Sequence, residues 1–220
     1  MVTKIYLIRH GETEGAETKR YKGHMDVPLS ANGIEQIKRV AGYLAEAESL
    51  NALYCSDLSR AIKSAEIIAE PYGLKPVILP GLRERNFGLW EGMSFDEIKA
   101  KWPDAFNAWA NNPLEFSPMN GESTIEVRDR AIKAFEKILS QRIEHIPPTQ
   151  PSPSRGEGKG EGGISTIAIV SHGGINRVIL CHLLGIPLEN IFRIEQDFAA
   201  LNLIEFHDGY PVTRFINYTI

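Results

Sequence analysis

Two histidines occupy matching positions in this sequence, each just beyond a short aliphatic run and directly before a glycine. Residues 4–8 form the run that leads to His10, and residues 166–170 form the run that leads to His172. Short aliphatic runs that end in a polar loop are typical of buried strands in a parallel sheet. Because open α/β sheets bind ligands beyond the carboxyl ends of their strands, we expect both imidazoles at one rim of the same sheet.

Further strand-like runs alternate with stretches of helical periodicity along the rest of the chain. Helices are expected over 30–44, 58–69, 94–101, 103–110, 123–143 and 175–184, and strands over 52–55 and 77–79. An Asp-Gly turn at 208–209 joins two terminal strands, 200–206 and 212–217, into a predicted hairpin. This alternation predicts an α/β fold. We expect a three-layer α/β/α sandwich with a mostly parallel sheet, an antiparallel edge strand and a small helical cap.

All residues, 1–220, are expected to form one domain that carries two added segments. The segment at about 94–120 is predicted to be the helical cap, and its aromatic side chains favour a cap core over a base-stacking platform, although a cap above a pocket would present one or two rings to a substrate. These aromatic residues are Phe95, Trp102, Phe106 and Trp109. The segment 147–163 contains almost only Pro, Gly, Ser and charged residues, which indicates a flexible surface loop, with a Pro-rich docking peptide as the alternative.

The overall composition excludes several classes of protein. Lys and Arg total 24 and Asp and Glu total 28, so the net charge is −4, which argues against a general nucleic-acid binder. No apolar run approaches the roughly 20 residues that a membrane span requires. Two cysteines, Cys55 and Cys181, cannot form a disulfide framework and suit a reducing compartment. We therefore expect a cytoplasmic protein with no nucleic-acid or membrane partner.

Two arginines are placed to accompany the histidines. Arg9 directly precedes His10, and Arg60 falls in the first turn of the helix predicted after the strand at 52–55. Guanidinium groups bind phosphate oxygens in a bidentate manner, and helix N-termini and glycine turns supply further N–H donors. The two histidines and two arginines together therefore indicate a phosphate site at the sheet rim.

Several motifs around these residues resemble those of the histidine phosphatase superfamily, the phosphoglycerate-mutase-like fold. The motifs are LIRHGET at 7–13, SDLSRA at 56–61, LRERNFG at 82–88, WEG at 90–92, GES at 121–123 and VSHGG at 170–174. They occur in order across the whole chain except the segment 147–163. The resemblance implies a phosphomonoester hydrolase that works through a phosphohistidine intermediate.

The resemblance also implies a role for each matched residue. His10 matches the nucleophile, and neighbouring arginines would keep its ring neutral because they disfavour a second positive charge. Glu84 matches the proton donor to the leaving oxygen, with Glu91 as a rival in the same loop. The basic cluster around the phosphoryl group is matched by Arg9, Arg60 and His172. Because this cluster supplies the positive charge that phosphoryl transfer needs, no metal ion and no other cofactor is implied.

Other candidate site residues lie close to these motifs. The backbone at Gly173 is expected to contact the phosphate. Many relatives carry Trp-Asn after the first motif and Gln before the next glycine, whereas this chain has Gly-Ala at 15–16 and Lys22, so Lys22 is expected to bind phosphate as a point charge. His24 lies in the segment where relatives touch their substrates and is a candidate substrate contact, and Arg85 is expected to contact the substrate or to form a surface ion pair.

The substrate is less closely defined than the chemistry. RERNFG at 83–88 and KGHMDVPL at 22–29 look most like the α-ribazole phosphatases of cobalamin biosynthesis, which implies α-ribazole 5′-phosphate as the small-molecule partner. The alternatives are a broad-specificity or sugar phosphatase, a protein phosphatase with an open pocket, and a non-catalytic protein that binds a phosphorylated ligand. A phosphoglycerate mutase is disfavoured because the chain is short between Glu84 and His172. A homodimer is left open.

Overall fold

The structure is a computed structural model that describes residues 2–144 and 165–220, with the side chains of 141–144 left out. The expected loop at 147–163 lies outside the described residues. The strands are β1 (Val2–Arg9), β2 (Leu50–Cys55), β3 (Val77–Ile78), β4 (Ser165–Ser171), β5 (Leu201–His207) and β6 (Tyr210–Tyr218). The α-helices are α1 (Ala31–Ala47), α2 (Ser59–Ala69), α3 (Phe95–Lys101), α4 (Pro103–Asn111), α5 (Thr124–Glu144) and α6 (Gly173–Leu184).

The described strands form one sheet in the order β3-β2-β4-β1-β5-β6. β1 runs parallel to β4, β2 runs parallel to both β3 and β4, and β5 runs antiparallel to β1 and β6. The predicted α/β fold with a mostly parallel sheet and an antiparallel hairpin at one edge is therefore confirmed. Because Arg9 pairs with Ser171 in the β1–β4 register, His10 and His172 follow the two central strands side by side.

Helices cover both faces of the sheet, because the side chains of each strand alternate between two apolar clusters. On β1, Ile5 and Leu7 face the cluster that includes α5 and α6, whereas Tyr6 and Ile8 face the cluster that includes α1 and α2. All four side chains are buried. The near-continuous aliphatic character of β1 and β4 is thus explained by burial on both faces.

The loop after β1 is fixed against the start of α1. Ser30 begins this helix as its N-cap and accepts a hydrogen bond from the backbone N–H of Gly33 (3.0 Å). The same Ser30 donates its hydroxyl to the carboxylate of Glu12 (2.7 Å). A Cβ on Gly11 would collide with the backbone of Gly33, and a Cβ on Gly33 would collide with the backbone of Glu12. Glycine is therefore required where the loop carrying His10 rests on α1.

The segment 94–120, which we call the cap, contains α3 and α4 and packs together with Trp90 in an aromatic cluster. Trp90, Ile98 and Phe106 are buried in this cluster, with Trp102 and Trp109 packed against it. α3 begins with a capping box in which Ser94 and Glu97 satisfy each other's backbone N–H groups. The expectation that residues 1–220 form a single domain with this cap stays a prediction.

Two sequence expectations concern the environment of the protein. Within residues 2–144 and 165–220, no helix is both long enough and apolar enough to cross a membrane. Cys55 and Cys181 are buried free thiols, and burial raises the pKa of Cys55 to about 12, so Cys55 is a packing residue with little thiolate. The expected cytoplasmic location stays a prediction.

Candidate active site

His10 and His172 meet just beyond the carboxyl ends of β1 and β4. Their ring centroids lie 5.0 Å apart and the rings are inclined at 63°. The backbone N–H of His10 donates to the carbonyl of Ser171 (3.0 Å), which continues the strand pairing up to the two imidazoles. His10 is 5% exposed and His172 is 1% exposed. The structure therefore brings together the two side chains that the strand pattern predicted at one rim.

One hydrogen bond fixes the tautomer of His10. Its Nδ1 lies 2.7 Å from the backbone carbonyl oxygen of Gly11, which can only accept, so Nδ1 carries the proton and Nε2 keeps its lone pair. Burial holds the pKa of His10 well below its usual range, and the neighbouring charges of Arg9 and Arg60 lower it further. His10 is therefore a neutral imidazole at neutral pH, and the lone pair of Nε2 is not used by the contact to Gly11.

Arg60 is almost completely enclosed, at 2% exposure. Its two terminal nitrogens donate to the backbone carbonyls of Met25 and Gly23, both at 2.7 Å. Gly23 has a φ of 49°, and a Cβ there would collide with the carboxylate of Glu91, so glycine is needed for this turn. The loop at 23–26 thus fixes the guanidinium at the start of α2, and Asp26 of the same loop caps that helix through the N–H of Ser59 (2.8 Å).

The guanidinium group of Arg9 is held by one hydrogen bond at its edge and by an aromatic ring against one face. Its Nη1 donates to the backbone carbonyl of Gln196 at 2.5 Å, and its guanidinium carbon lies 3.9 Å from the centroid of the Phe198 ring. Burial lowers the pKa of Arg9 to about 10, so the group stays charged at neutral pH. Neither Gln196 nor Phe198 was a predicted site residue.

Three buried donors or acceptors in this site have no partner among the described residues: Nε of Arg9 and both ring nitrogens of His172. An unsatisfied buried polar group costs about 1–3 kcal/mol, so such atoms are rare unless a ligand completes them. Burial also holds the pKa of His172 well below its usual range. The cluster of unsatisfied atoms beside His10 is therefore suited to a small ligand with several oxygen atoms.

The structure places Glu84 where two cavities meet. We call the first the basic cavity, of about 320 Å³, because its lining includes Arg9, His10, Lys22, Arg60 and Glu84. We call the second the aromatic cavity, of about 190 Å³, because its lining includes Tyr21, Phe87, Trp90, Trp109, Phe192 and Glu84. Since Glu84 borders both, its carboxyl group lies between the predicted phosphate site and an adjoining apolar space.

Four hydrogen bonds fix Glu84 itself. Its carboxylate accepts from the backbone N–H of Gly174 in the first turn of α6 and from its neighbour Arg85, both at 2.9 Å. Its backbone carbonyl accepts from Nε2 of His24 and from Arg130 of α5, both at 2.8 Å. The side chain of Glu84 is therefore preorganised at the cavity boundary.

The remaining predicted residues lie in the same region. Lys22 lines the basic cavity and donates to the hydroxyl of Thr13 (2.5 Å) and to a backbone carbonyl. Arg85 lines the aromatic cavity, although all three of its nitrogens donate to protein atoms. Gly173 begins α6, where a Cβ would lie 3.4 Å from Nε of Arg9. His24 borders neither cavity in the described residues and instead holds the backbone of Glu84.

Two further arginines of the site were missed by the sequence analysis. Arg130 donates to the backbone carbonyls of Arg83 and Glu84 and pairs with the carboxylate of Glu122 (2.7 Å). Arg177 of α6 lines the aromatic cavity and donates through Nε to the carbonyl of Ile194 (2.7 Å). Arg177 could have been found, because it follows His172 by little more than one helical turn. Arg130 lies in a charge-rich helix and gave no local signal.

Because both histidines are buried, we expect the protein to lose stability in acid. Because burial lowers the pKa of each ring in the folded chain, the unfolded chain binds more protons below the ordinary histidine pKa of about 6.5. Each ring therefore makes its full contribution to the free energy of unfolding above this pH. That contribution falls by about 1.4 kcal/mol per pH unit as the pH drops towards the pKa of the ring in the folded chain.

This pH dependence is measured by urea unfolding in phosphate-free buffer at pH values on both sides of about 6.5. The variant His172→Gln should lose less unfolding free energy per pH unit than the wild type, because one of the two rings has been removed. Equal slopes for the two proteins would contradict the buried neutral state of His172.

Comparisons with known proteins agree with this geometry. The adenosylcobalamin/α-ribazole phosphatase of Escherichia coli is 27% identical over 97% of this chain and 95% of its own length. Phosphoserine phosphatase 1 of Hydrogenobacter thermophilus is 29% identical over 99% of this chain and 93% of its own length. A crystal structure of the α-ribazole phosphatase from Shigella flexneri superposes with a TM-score of 0.82, with 27% identity over 98% of this chain and 96% of that one.

The match also extends to longer proteins and to a family profile. The chain spans 54% of the length of the mycobacterial relatives to which it is 30% identical. The family model of the histidine phosphatase superfamily (branch 1) matches residues 5–146 and 156–219. The matched residues include His10 and His172, Glu84 between the two cavities, and the arginines Arg9 and Arg60. The predicted resemblance is thereby confirmed, and the chain belongs to the histidine phosphatase superfamily.

Proposed function

We propose that this chain hydrolyses phosphomonoesters by transferring the phosphoryl group first to His10 and then to water. The observation that carries the proposal is the cluster of unsatisfied buried atoms, Arg9 Nε and both ring nitrogens of His172, beside the free Nε2 of His10. Membership of the superfamily and the phosphatase names of its relatives support the same chemistry. A neutral nucleophile among fixed cations is what attack on a phosphate dianion requires.

The first step forms a bond between phosphorus and Nε2 of His10 and breaks the bond to the ester oxygen. Arg9, Arg60 and His172 bind the phosphoryl oxygens, with Lys22 as a further cation. Glu84, in its protonated form, donates its proton to the departing oxygen, which leaves as an alcohol. In the second step Glu84 removes a proton from water, and the resulting oxygen attacks phosphorus and releases His10 as a neutral ring.

The aromatic cavity supports α-ribazole 5′-phosphate as the substrate. The departing ribose oxygen would lie at Glu84, and the benzimidazole ring would enter the adjoining space between Phe87, Trp90 and Trp109. Trp90 is buried and stacks on Phe116, whereas Trp109 is partly exposed and lines the cavity, so Trp109 is the tryptophan that a planar base would contact. An aromatic contact of this kind contributes about 0.5–1.5 kcal/mol beyond simple burial.

A substrate whose leaving group carries its own negative charge, such as a carboxylate, is the second candidate. Arg177 lines the aromatic cavity and uses only Nε in a hydrogen bond among the described residues, so its terminal nitrogens are available to an anion. A relative named as a glucosyl-3-phosphoglycerate phosphatase, from Mycolicibacterium vanbaalenii, is 30% identical over 86% of this chain and 77% of its own length. Sugar phosphates and hydroxy-acid phosphates therefore belong in the same assay.

A phosphate-release assay across a substrate panel tests the proposal. The panel contains α-ribazole 5′-phosphate, phosphoserine, sugar phosphates, phosphoglycerates and p-nitrophenyl phosphate, each measured in EDTA. Among the alkyl monoesters of the panel we expect the highest kcat/KM for α-ribazole 5′-phosphate, because it alone of these places an aromatic ring in the aromatic cavity beyond Glu84. Similar values across the panel would favour a broad-specificity phosphatase. No release from any substrate would contradict hydrolysis and favour a non-catalytic ligand-binding protein.

The aromatic cavity is tested separately by Trp109→Leu, with Trp102→Leu as the matched control. Both tryptophans pack against the cap cluster, but only Trp109 lines the cavity. The ratio of kcat/KM for α-ribazole 5′-phosphate to that for glycerol phosphate should fall about 10-fold in Trp109→Leu, because a base-stacking contact is removed. The ratio should stay at the wild-type value in Trp102→Leu. An equal fall in both variants would assign the effect to the stability of the cap.

A further inference from the structure

A buried pair of amide side chains connects Arg9 to the C-terminal hairpin. Gln196 and Asn202 are 1% and 0% exposed. The Nε2 of Gln196 donates to Oδ1 of Asn202 (2.7 Å), and Nδ2 of Asn202 donates to Oε1 of Gln196 (3.0 Å). The two amides thus form a pair in which each side chain donates one hydrogen bond to the other.

Asn202 is satisfied at every polar position of its side chain. Besides its two bonds with Gln196, its Nδ2 donates to the backbone carbonyl of Leu7 (2.9 Å) and its Oδ1 accepts from the backbone N–H of Asn217 (3.0 Å). The first of these bonds reaches β1 two residues before Arg9. The second lies where the β5–β6 pairing shifts register, so the side chain satisfies a backbone N–H at this irregularity. Asn202 therefore ties the strand that carries Arg9 to the residues that hold it.

The segment that begins at Gln196 contacts Arg9 directly. The backbone carbonyl of Gln196 accepts from Nη1 of Arg9, and Phe198 covers one face of the guanidinium. Ala199, at a φ of 57°, donates its N–H to the carbonyl of His10 (3.1 Å). A displacement of this short segment would thus move the arginine and alter the support of the nucleophile's backbone.

We propose that Asn202 is a positioning residue for phosphoryl transfer, which acts through Gln196 to fix the guanidinium of Arg9. This inference rests on the proposed function of the site. An arginine side chain has many rotamers, and the single hydrogen bond that the Arg9 side chain makes within the described residues is to the carbonyl of Gln196. Holding that carbonyl in place keeps the unsatisfied Nε of Arg9 available to a phosphoryl oxygen without reorganisation during the reaction.

The test compares Asn202→Leu with Glu205→Gln, a control in the same strand. Glu205 pairs with Arg214 at 2.6 Å and makes no contact with the site, so this control perturbs the hairpin without reaching Arg9. For Asn202→Leu we expect the inhibition constant of inorganic phosphate to rise about 10-fold, which corresponds to about 1.4 kcal/mol. The kcat/KM for p-nitrophenyl phosphate should fall at least as much. Glu205→Gln should lower the unfolding midpoint and change neither constant.

A double-mutant cycle separates positioning from general destabilisation. In the background of Arg9→Ala, the further change Asn202→Leu should leave the inhibition constant of phosphate unchanged, because the group it acts through is already absent. A further 10-fold loss in that background would overturn the inference, as would an unchanged constant for Asn202→Leu in the wild-type background. If Asn202→Leu does not fold, Gln196→Met is measured in its place, with the same expected results.

The same experiment distinguishes this inference from the proposed function. Wild-type protein that hydrolyses p-nitrophenyl phosphate and is inhibited by phosphate, together with an unaffected Asn202→Leu variant, overturns only the role of Asn202. Wild-type protein that neither turns over the ester nor binds phosphate in a calorimetric titration overturns both.

Discussion

The variant His10→Gln is expected to lose turnover by about 10,000-fold or more on every substrate, because the proposed reaction passes through a covalent bond between phosphorus and Nε2 of His10. Nε2 of His10 is the nitrogen left unprotonated by the bond from Nδ1 to Gly11, and it lies beside the unsatisfied atoms of Arg9 and His172. A glutamine amide is not a nucleophile towards phosphorus. Steady-state phosphate release from purified protein in EDTA measures the effect.

This variant should still bind phosphate although it has lost turnover, because Arg9 and Arg60 are held by backbone carbonyls and not by His10. The matched control is His182→Gln, which changes an exposed histidine in the last turn of α6. The control should retain the wild-type rate. Hydrolysis by His10→Gln within about 10-fold of the wild type would show that the reaction does not pass through His10.

Glu84→Gln should slow the hydrolysis of alkyl monoesters by about 100- to 10,000-fold. A ribose or glycerol oxygen leaves as a strongly basic alkoxide unless it is protonated, and Glu84 is the carboxyl group at the boundary of the two cavities. p-Nitrophenolate leaves without a proton, so the loss on p-nitrophenyl phosphate should be about 10-fold or less in the transfer step. The measurement is single-turnover kinetics on both esters with the same enzyme preparation.

Glu91→Gln is the control for this prediction, because Glu91 was the rival for the acid role. Its Oε1 accepts from the backbone N–H groups of His24 (2.7 Å) and Phe87 (3.1 Å), which is a structural use of the carboxylate. The loss in Glu91→Gln should therefore be similar on alkyl and nitrophenyl esters. Equal losses on the two esters in Glu84→Gln would remove Glu84 as the acid, and a leaving-group-dependent loss in Glu91→Gln would transfer the role to Glu91.

The position of the two histidines could be predicted from sequence because it depends on local features. The aliphatic runs before His10 and His172 are buried on both faces of the sheet, and that burial is what made them recognisable as central strands. Arg60 could be placed for a similar reason, since it follows a strand and falls in the first turn of α2. Element boundaries differ from the predicted ones by one to three residues, as at α1 and β2, because helix and strand ends depend on capping contacts.

The supporting contacts could not be predicted, because they join residues far apart in the chain. Arg130 reaches the backbone of Glu84 from α5, and Gln196 reaches Arg9 through a backbone carbonyl that any residue type would supply. Asn202 is a polar residue in the predicted terminal strand 200–206, and nothing local indicates its partner. His24 was predicted as a candidate substrate contact, but its ring is bonded to the Glu84 carbonyl, a pairing that depends on how two loops cross.

The covalent bond between phosphorus and His10 can be observed directly by mixing enzyme with substrate, quenching in alkaline denaturant at successive times, and mapping the phosphorylated atom by mass spectrometry and phosphorus NMR. The predicted result is one phosphoryl group on Nε2 of His10, because the hydrogen bond from Nδ1 to the carbonyl of Gly11 keeps the proton on Nδ1. A phosphoryl group on Nδ1 or on His172, or phosphate release with no phosphorylated enzyme at any quench time, would contradict it.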